Sequence, residues 1–357
     1  MDIHIVEDEA FSEIAAQEGH HRDIAMQHKY GVKNIKYFLN LPEKKVFCLM
    51  QAPNKKACIN NHMAAHGIGA CNIIEVSSEI DFKAFLGEGG QDENDMAITL
   101  SGEIDTGYRS IIMICPIFFE DIRQPITNRI YKLIEEHKGS RIIQPGDRIL
   151  ASFVDADHAV KAVQSLSEYF RSFQGKLEYN MALVTGKPVD EEGIELFEET
   201  KKHLVTINEM CKTKVPQIDS TTLSLARKPF GQQKLDGNGA QVLSGEDLYL
   251  YSKLWNILDK HIVHTGFSSA HLSKEFGLSK AQMYRKLKAL TGMSPNELIR
   301  EMRLRRSLSA LKKNNKNVSE IAYGLGFNSP TYFTRVFRKR YDILPTEFAK
   351  LSNRHRL

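Results

Sequence analysis

The sequence predicts a multidomain chain: two α+β domains, each with βαββαβ order, followed by an all-α domain. Its 357 residues are enough for two or three domains of ordinary size, and the hydrophobic fraction of 42% is that of a globular protein. The net charge changes sign near the start of the predicted all-α domain. Residues 253–357 hold 21 Lys and Arg against 7 Asp and Glu, whereas the residues before them carry a net charge of −10. This asymmetry predicts that the cationic residues 253–357 bind phosphate groups and that the acidic residues before them have another role.

The first domain, residues 1–80, alternates strand and helix patterns. Two βαβ crossovers in succession predict a four-stranded sheet with both helices on one face, which is the ferredoxin-like arrangement. The predicted strands are Asp2–Val6, Lys33–Leu39, Lys45–Gln51 and Cys71–Val76, and the predicted helices are Ala10–Tyr30 and Lys55–His66.

Five polar residues of this domain form an unusual set. His20 and Asp23 are three residues apart on the first helix, His62 and His66 are four apart on the second, and Cys48 lies in the third strand. Each helical pair shares a face. Imidazole, thiolate and carboxylate together suit a transition ion such as nickel or zinc. From spacing alone, a metal site is no better an explanation than histidines at the surface and a small cysteine in the core.

Four sequence motifs give this domain a resemblance to a small family of nickel-binding, ferredoxin-like proteins. The resemblance implies a metal site built from His20, Asp23, Cys48, His62 and His66, while His4, His21 and His28 have no motif position and are expected at the surface. The motifs are H-x-x-D (His20 to Asp23), Q-x-x-Y-G-V (Gln27 to Val32), V-F-C with A-P (Val46 to Pro53) and H-x-x-x-H-G (His62 to Gly67).

Two segments have the composition of linkers. Residues 81–107 contain five glycines among acidic residues, which predicts a flexible connector without a core of its own. Residues 229–247 are rich in Gly, Gln and Asn and predict a second linker.

Residues 108–228 predict a second βαββαβ domain. The stretches Gly146–Phe153 (GDRILASF) and Ala182–Val189 (ALVTGKPV) resemble a class III nucleotide cyclase domain. Two-metal catalysis in that family needs carboxylates in the first strand and in the hairpin. Asp147 occupies the hairpin position, but Cys115 occupies the other. We therefore expect no enzyme activity and a domain that serves dimerisation or binds a small molecule.

Residues 248–357 predict two helix-turn-helix units. In the second, Gly326 supplies the turn and Ser329 caps a helix whose Phe333, Val336 and Phe337 share an apolar face. The first repeats the order about fifty residues earlier, with a turn at Gly277. A connecting helix opens at Pro295 and is expected to carry its arginines on the outside; these are Arg300, Arg303, Arg305 and Arg306.

The pattern A-x-x-x-G-F-x-S-x-x-Y-F-x-R-x-F-[KR] (within Ala322 to Lys339) and the final P-T-E-F motif (Pro345 to Phe348) resemble the DNA-binding domain of AraC-family transcription regulators. The resemblance implies base contacts from both recognition helices. At Ala281 and Pro330, which are poor hydrogen-bonders, such a contact would be apolar or absent. The expected DNA-binding residues are Gln282, Tyr284, Arg285, Lys286, Thr331, Thr334, Arg335, Arg338 and Lys339.

These features predict a cytoplasmic transcription regulator that binds double-stranded promoter DNA as a homodimer and responds to a metal ion or another small effector. The odd number of cysteines, five, fits a reducing compartment, and the longest apolar run, Ile111–Phe119, is too short to cross a membrane. Two alternatives stay open. One is a nucleotide cyclase fused to a DNA-binding domain, with Glu120 or Asp121 replacing Cys115 as the metal ligand. The other is a pair of front domains that only oligomerise the DNA binder.

Overall fold

The computed structural model describes residues 1–76, 79–87, 89–173, 175–226 and 239–353. Residues 229–238 of the predicted second linker lie outside the described residues. The first domain consists of β1 (Asp2–Ile5), α1 (Glu13–Tyr30), β2 (Lys33–Asn40), β3 (Lys45–Gln51), α2 (Lys55–His66) and β4 (Asn72–Ile73).

The first sheet has the strand order β2-β3-β1-β4, and all of its neighbouring strands are antiparallel. Local signals set the helix ends. Ser12 and Asn54 cap α1 and α2 with their side chains, and both helices end at glycines with positive φ, Gly31 and Gly67. Helices α1 and α2 pack against each other, which brings their polar residues close to β1 and β3.

Residues 81–107 are not the connector of few contacts that their composition predicts. They contribute α3 (Glu79–Leu86) and a hairpin of β5 (Gly90–Gln91) and β6 (Ala97–Ile98). Phe85 and Leu86 are buried in the main core, and Asp105 forms a buried bidentate ion pair with Arg109, with both nitrogen–oxygen distances 2.8 Å. The segment is ordered despite its glycines because its few apolar side chains are buried in the core of the neighbouring domains.

The middle domain consists of β7 (Arg109–Phe118), α4 (Arg123–Glu136), β8 (Ser140–Ile142), β9 (Ile149–Phe153), α5 (Ala156–Arg171), β10 (Leu177–Gly186), α6 (Glu198–Met210), β11 (Gln217–Asp219), α7 (Ser220–Leu225) and β12 (Gln241–Leu243). Its sheet has six strands in the order β12-β11-β10-β7-β9-β8. The four strands β7 to β10 have the predicted order. The two parallel strands β11 and β12 were not predicted, and β12 lies within the expected linker.

The last domain is helical, and its predicted double helix-turn-helix arrangement is confirmed. Gly277 and Gly326 make the two turns with φ of 66° and 83°. At Gly326 any Cβ would lie 2.8 Å from the Val263 carbonyl oxygen, so only glycine fits. The helices are α8 (Gly245–His261), α9 (Ser269–Phe276), α10 (Lys280–Thr291), α11 (Pro295–Lys313), α12 (Val318–Gly324), α13 (Pro330–Tyr341) and α14 (Pro345–Asn353).

The helical domain packs directly on the middle domain. Arg305 of α11, expected on the outside, is buried: its guanidinium donates to the carbonyl oxygens of Asn208 (3.2 Å), Glu209 (2.8 Å) and Cys211 (2.8 Å) at the end of α6. The prediction for Arg305 is wrong because periodicity on one helix cannot show that a second domain covers its polar side. Among the described helices none is long and apolar enough to cross a membrane.

Candidate nucleic-acid interface and metal centre

The recognition helix α13 starts with a side-chain cap and rests on an aromatic core. The Ser329 hydroxyl accepts a hydrogen bond from the Tyr332 amide at 3.3 Å, and Phe333 and Phe337 are fully buried beneath the helix. Because these rings take the inner face, the opposite face is left to polar side chains. The predicted DNA-binding residues on that face are Thr331, Thr334, Arg335, Arg338 and Lys339, which line a shared surface groove.

Helix α10 presents the corresponding face of the first unit. Tyr284 is 48% exposed and Arg285 is exposed beside it. Gln282 is engaged in a capping box, since its side-chain oxygen accepts from the Ser279 amide at 2.9 Å. Lys286 lies 3.4 Å from Glu246. Arg285 and Tyr284 are therefore freer to contact bases than Gln282 and Lys286.

The chemistry of the two faces matches what a duplex offers. Arg335 lies over the Tyr332 ring, 5.3 Å from its centroid, which orders the guanidinium. An ordered guanidinium can donate two parallel hydrogen bonds to guanine, whereas lysines such as Lys339 are suited to phosphates.

The first domain gathers metal-binding side chains into two adjacent groups of three. One group is Asp23, His62 and His66; the other is Asp2, His4 and Cys48. Within each group the candidate ligand atoms lie within 4.8 Å of one another. Four of the five residues expected from the sequence are thus brought into these groups, together with two that were not expected.

His62 connects the two groups. Its Nδ1 lies 2.9 Å from an Asp23 carboxylate oxygen, and its Nε2 lies 2.8 Å from an Asp2 carboxylate oxygen. Burial lowers the pKa of His62, but its hydrogen bonds to the two carboxylates outweigh burial and raise that pKa to about 10. Burial alone would raise the pKa of Asp2; the charges of His4 and His62 and the hydrogen bond with His62 instead hold that pKa well below its usual range.

His20, the fifth expected ligand, lies apart from both groups. Its Nε2 is 3.3 Å from a carboxylate oxygen of Asp95, and burial lowers the pKa of the ring although Asp95 opposes this. It does line the same cavity of about 250 Å³ as His4, Asp23, Cys48 and His66. His20 was expected to bind the metal together with Asp23, but its ring faces Asp95 instead. The sequence could not show this contact, because Asp95 belongs to the segment that was expected to be a connector.

Asp2 and His4 are the functional candidates that sequence reasoning missed. His4 was expected at the surface but is 7% exposed, and its buried Nε2 lies 3.6 Å from an Asp2 carboxylate oxygen, beyond hydrogen-bond length. Both lie on β1, an interior strand of the sheet, at alternate positions of one face. Two polar residues at i and i+2 of an interior strand were the available signal.

In the middle domain, the aspartate at the hairpin position of the cyclase resemblance takes part in ion pairs. The Asp147 carboxylate pairs with Arg123 and with Lys312 of α11, the latter at 2.6 Å. Burial raises the pKa of the Cys115 thiol to about 12, so this position offers no anionic ligand at neutral pH. Asn208 of α6 is buried, and its side-chain amide donates to the Leu204 carbonyl oxygen at 2.8 Å.

Two family models match this chain. Residues 1–76 match the nickel responsive protein SCO4226-like family, and residues 272–351 match a helix-turn-helix domain. A solved guanylate cyclase domain from Catenaria anguillulae aligns with 33% of this chain and 81% of its own at 11% identity and a TM-score of 0.28. At that similarity, the relationship of the middle domain to cyclases stays a prediction.

Curated regulators of transcription match less than half of the chain. The chain is 28% identical over 137 residues to the HTH-type transcriptional regulator MtrA of Neisseria gonorrhoeae, covering 38% of this chain and 45% of MtrA. It covers only 8% of a histidine kinase, P4, of Formosa agariphila. An HTH-type transcriptional regulator from Pseudoalteromonas carrageenovora is 30% identical over 140 residues, which are 39% of this chain and 75% of that protein. The chain belongs to the AraC family of helix-turn-helix transcription regulators.

Proposed function

We propose that this protein regulates transcription by binding a specific site in double-stranded DNA through both helix-turn-helix units. The observation that supports this most is the pair of capped helices α10 and α13, each anchored by buried apolar residues and each exposing an arginine, Arg285 and Arg335. Helix α11 joins the two units rigidly, so they can enter successive major-groove faces about 34 Å apart.

Selection of bound duplexes from a randomised DNA library with the full-length protein tests this proposal. We expect one enriched sequence with two recognition blocks about one helical turn apart. Arg285→Ala should relax the choice of base in one block, and Arg335→Ala in the other. Arg141→Ala removes a cation from the middle domain and should leave the enriched sequence unchanged. Enrichment of no sequence above the starting library would contradict sequence-specific binding.

The proposal includes a transition-metal ion, nickel or zinc, in the first domain. The chemistry of the donors fits such an ion: imidazoles, carboxylates and a thiol converge, and the buried His4 Nε2 makes no hydrogen bond among the described residues. The residues that would hold it come from Asp2, His4, Asp23, Cys48, His62 and His66. A bound ion would supply positive charge to the buried carboxylates Asp2 and Asp23, and a protonated imidazole would have to release a proton to bind it.

Equilibrium dialysis of untagged protein against nickel or zinc tests metal binding directly. We expect saturable binding that the joint substitution of His62 and His66 by Ala abolishes. DNA binding of the wild type with and without the ion then tests sensing. A metal-free protein that binds its selected site as the loaded protein does would overturn sensing while leaving metal binding intact. The homodimer expected from the sequence stays a prediction, which sedimentation with and without DNA measures.

A further inference from the structure

A cavity of about 810 Å³ opens where the first domain, the middle domain and the helical domain meet. It is of the size that small-molecule sites have, about 300–1,000 Å³. Its lining comes from the end of the first domain, from α3, from the β7, β8 and β9 region, from α6 and the loop before it, and from α8. The apolar lining residues are Val76, Phe85, Met113, Ile142, Ile143, Leu150, Leu196, Val205 and Trp255.

Two aromatic rings belong to this lining, and one of them, Phe85, also stacks on Phe197 with ring centroids 5.4 Å apart. Phe85 lies on α3, and Trp255, the single tryptophan of the chain, lies on α8 of the DNA-binding domain. Phe85 is buried and Trp255 is partly exposed to the cavity. Aromatic walls of this kind favour a planar apolar body.

Three cations line the cavity: Lys201, Lys202 and Arg148. Lys201 pairs with Glu195, and Lys202 pairs with Glu198, so the charge of each ammonium is balanced by a carboxylate that also lines the cavity.

Arg148 differs from the two lysines. Its one described side-chain bond is to Glu209, at 2.9 Å, and Glu209 is not a lining residue. A guanidinium has five N–H donors, and four of those on Arg148 make no hydrogen bond among the described residues. A planar carboxylate is the group that matches this donor geometry.

We propose that this cavity binds a small aromatic carboxylate, with its ring beside Phe85 and Trp255 and its carboxylate on Arg148. This site is separate from the metal centre, and binding there does not depend on the proposed function.

Two elements that line the cavity, α6 and α8, contact helix α11 of the DNA-binding domain. Helix α6 starts in its wall, and the carbonyl groups at the other end of α6 are held by the buried Arg305 of α11. Trp255 also lies beneath Arg306 of α11, 5.6 Å from ring centroid to guanidinium. A ligand therefore contacts two elements that pack against the connector between the DNA-reading units. The coupling of the ligand to DNA affinity rests on the proposed function.

Titration of the full-length protein with phenylacetate tests the site, because Trp255 is the only tryptophan and reports the cavity through its fluorescence. We expect a saturable change at one equivalent per chain, with saturation-transfer NMR of the ligand as a second readout. Phenylacetamide, which has the same ring without the charge, should bind about tenfold more weakly or worse. Benzoate and cinnamate are tested in the same way by saturation-transfer NMR, so that the panel contains three aromatic carboxylates.

Two variants decide the role of Arg148. Arg148→Gln should weaken carboxylate binding about tenfold or more, whereas Arg141→Gln, which removes a cation from β8 outside the cavity, should not change it. Circular dichroism confirms that both variants fold. The proposed site is wrong if no carboxylate of the panel binds saturably. It is also wrong if Arg148→Gln binds phenylacetate as tightly as Arg141→Gln does.

DNA affinity measured with and without saturating carboxylate separates the two parts of the proposal. A bound ligand that shifts DNA affinity severalfold supports the coupling, and a bound ligand without such a shift overturns the coupling and leaves the site. Loss of DNA binding in every condition would instead count against the proposed function.

Discussion

Arg340 of the recognition helix α13 forms a bidentate ion pair with Glu178 of β10 in the middle domain, and both nitrogen–oxygen distances are 2.8 Å. The same guanidinium also donates to Glu301 of α11 at 2.8 Å. Arg340 follows Arg338 and Lys339 in the chain but faces inward, so the helix that offers its outer face to DNA is held from behind by another domain. The middle domain thereby sets the orientation of the second DNA-reading unit.

Replacing Glu178 by Gln should lower the free energy of unfolding by about 1–2 kcal/mol, because Arg340 would lose half of its paired carboxylate oxygens in a largely water-excluded contact. Urea unfolding of the full chain measures this. Glu120→Gln breaks the exposed pair with Lys176 and should cost less than about 0.5 kcal/mol. Equal effects of the two substitutions would show that the Arg340 contact holds the domains no better than a surface pair does.

Stability should depend on pH through Glu301. Burial raises the pKa of this carboxyl, but the charge of Arg305 and the hydrogen bond from Arg340 outweigh burial and lower it. A folded-state pKa below the unfolded value of about 4.3 gives stability that is fully present above that pH and is lost as the pH falls through the folded value. Denaturation measured from pH 6 down to about pH 3 should show this loss, and Glu301→Gln should flatten it. A variant profile parallel to the wild type would contradict the assignment.

Arg335 and Lys339 should affect DNA binding in different ways. Arg335→Ala should cost about 1–3 kcal/mol at the selected site and relax one base position, since a guanidinium reads a base edge. Lys339→Ala should weaken specific and random duplexes alike and reduce the salt dependence, as loss of a phosphate contact does. Mobility-shift titrations at several salt concentrations distinguish the two. Equal losses on both DNAs for both variants would show that the roles are misassigned.

Separate substitutions should reveal whether the two ligand groups hold one metal site. If they act together, His4→Ala should weaken nickel binding as strongly as His66→Ala, about 10-fold to 100-fold for each lost interaction at the site. His28→Ala, on the exposed side of α1, is the matched control and should bind as the wild type does. Isothermal titration measures all three. Unchanged affinity in His4→Ala would restrict the site to Asp23, His62 and His66.

Much of the architecture was predictable from the sequence because its signals are local. Ser329, Gly326 and the spacing of Phe333 and Phe337 lie within one or two helical turns of each other, so they set the cap, the turn and the buried face whatever surrounds them. The grouping of Asp23 with His62 and His66 was also accessible, since helices on one sheet face must pack together.

Contacts between distant segments were decided only by the tertiary structure. Asp2 and His4 join Cys48 because β1 pairs with β3, and His20 turns to Asp95 because residues 81–107 fold back onto the first domain. Arg305 is buried because a second domain supplies carbonyl acceptors for it. Residue type and spacing describe what a side chain can do, but its partner depends on which surfaces apolar burial brings together, and that is a property of the whole chain.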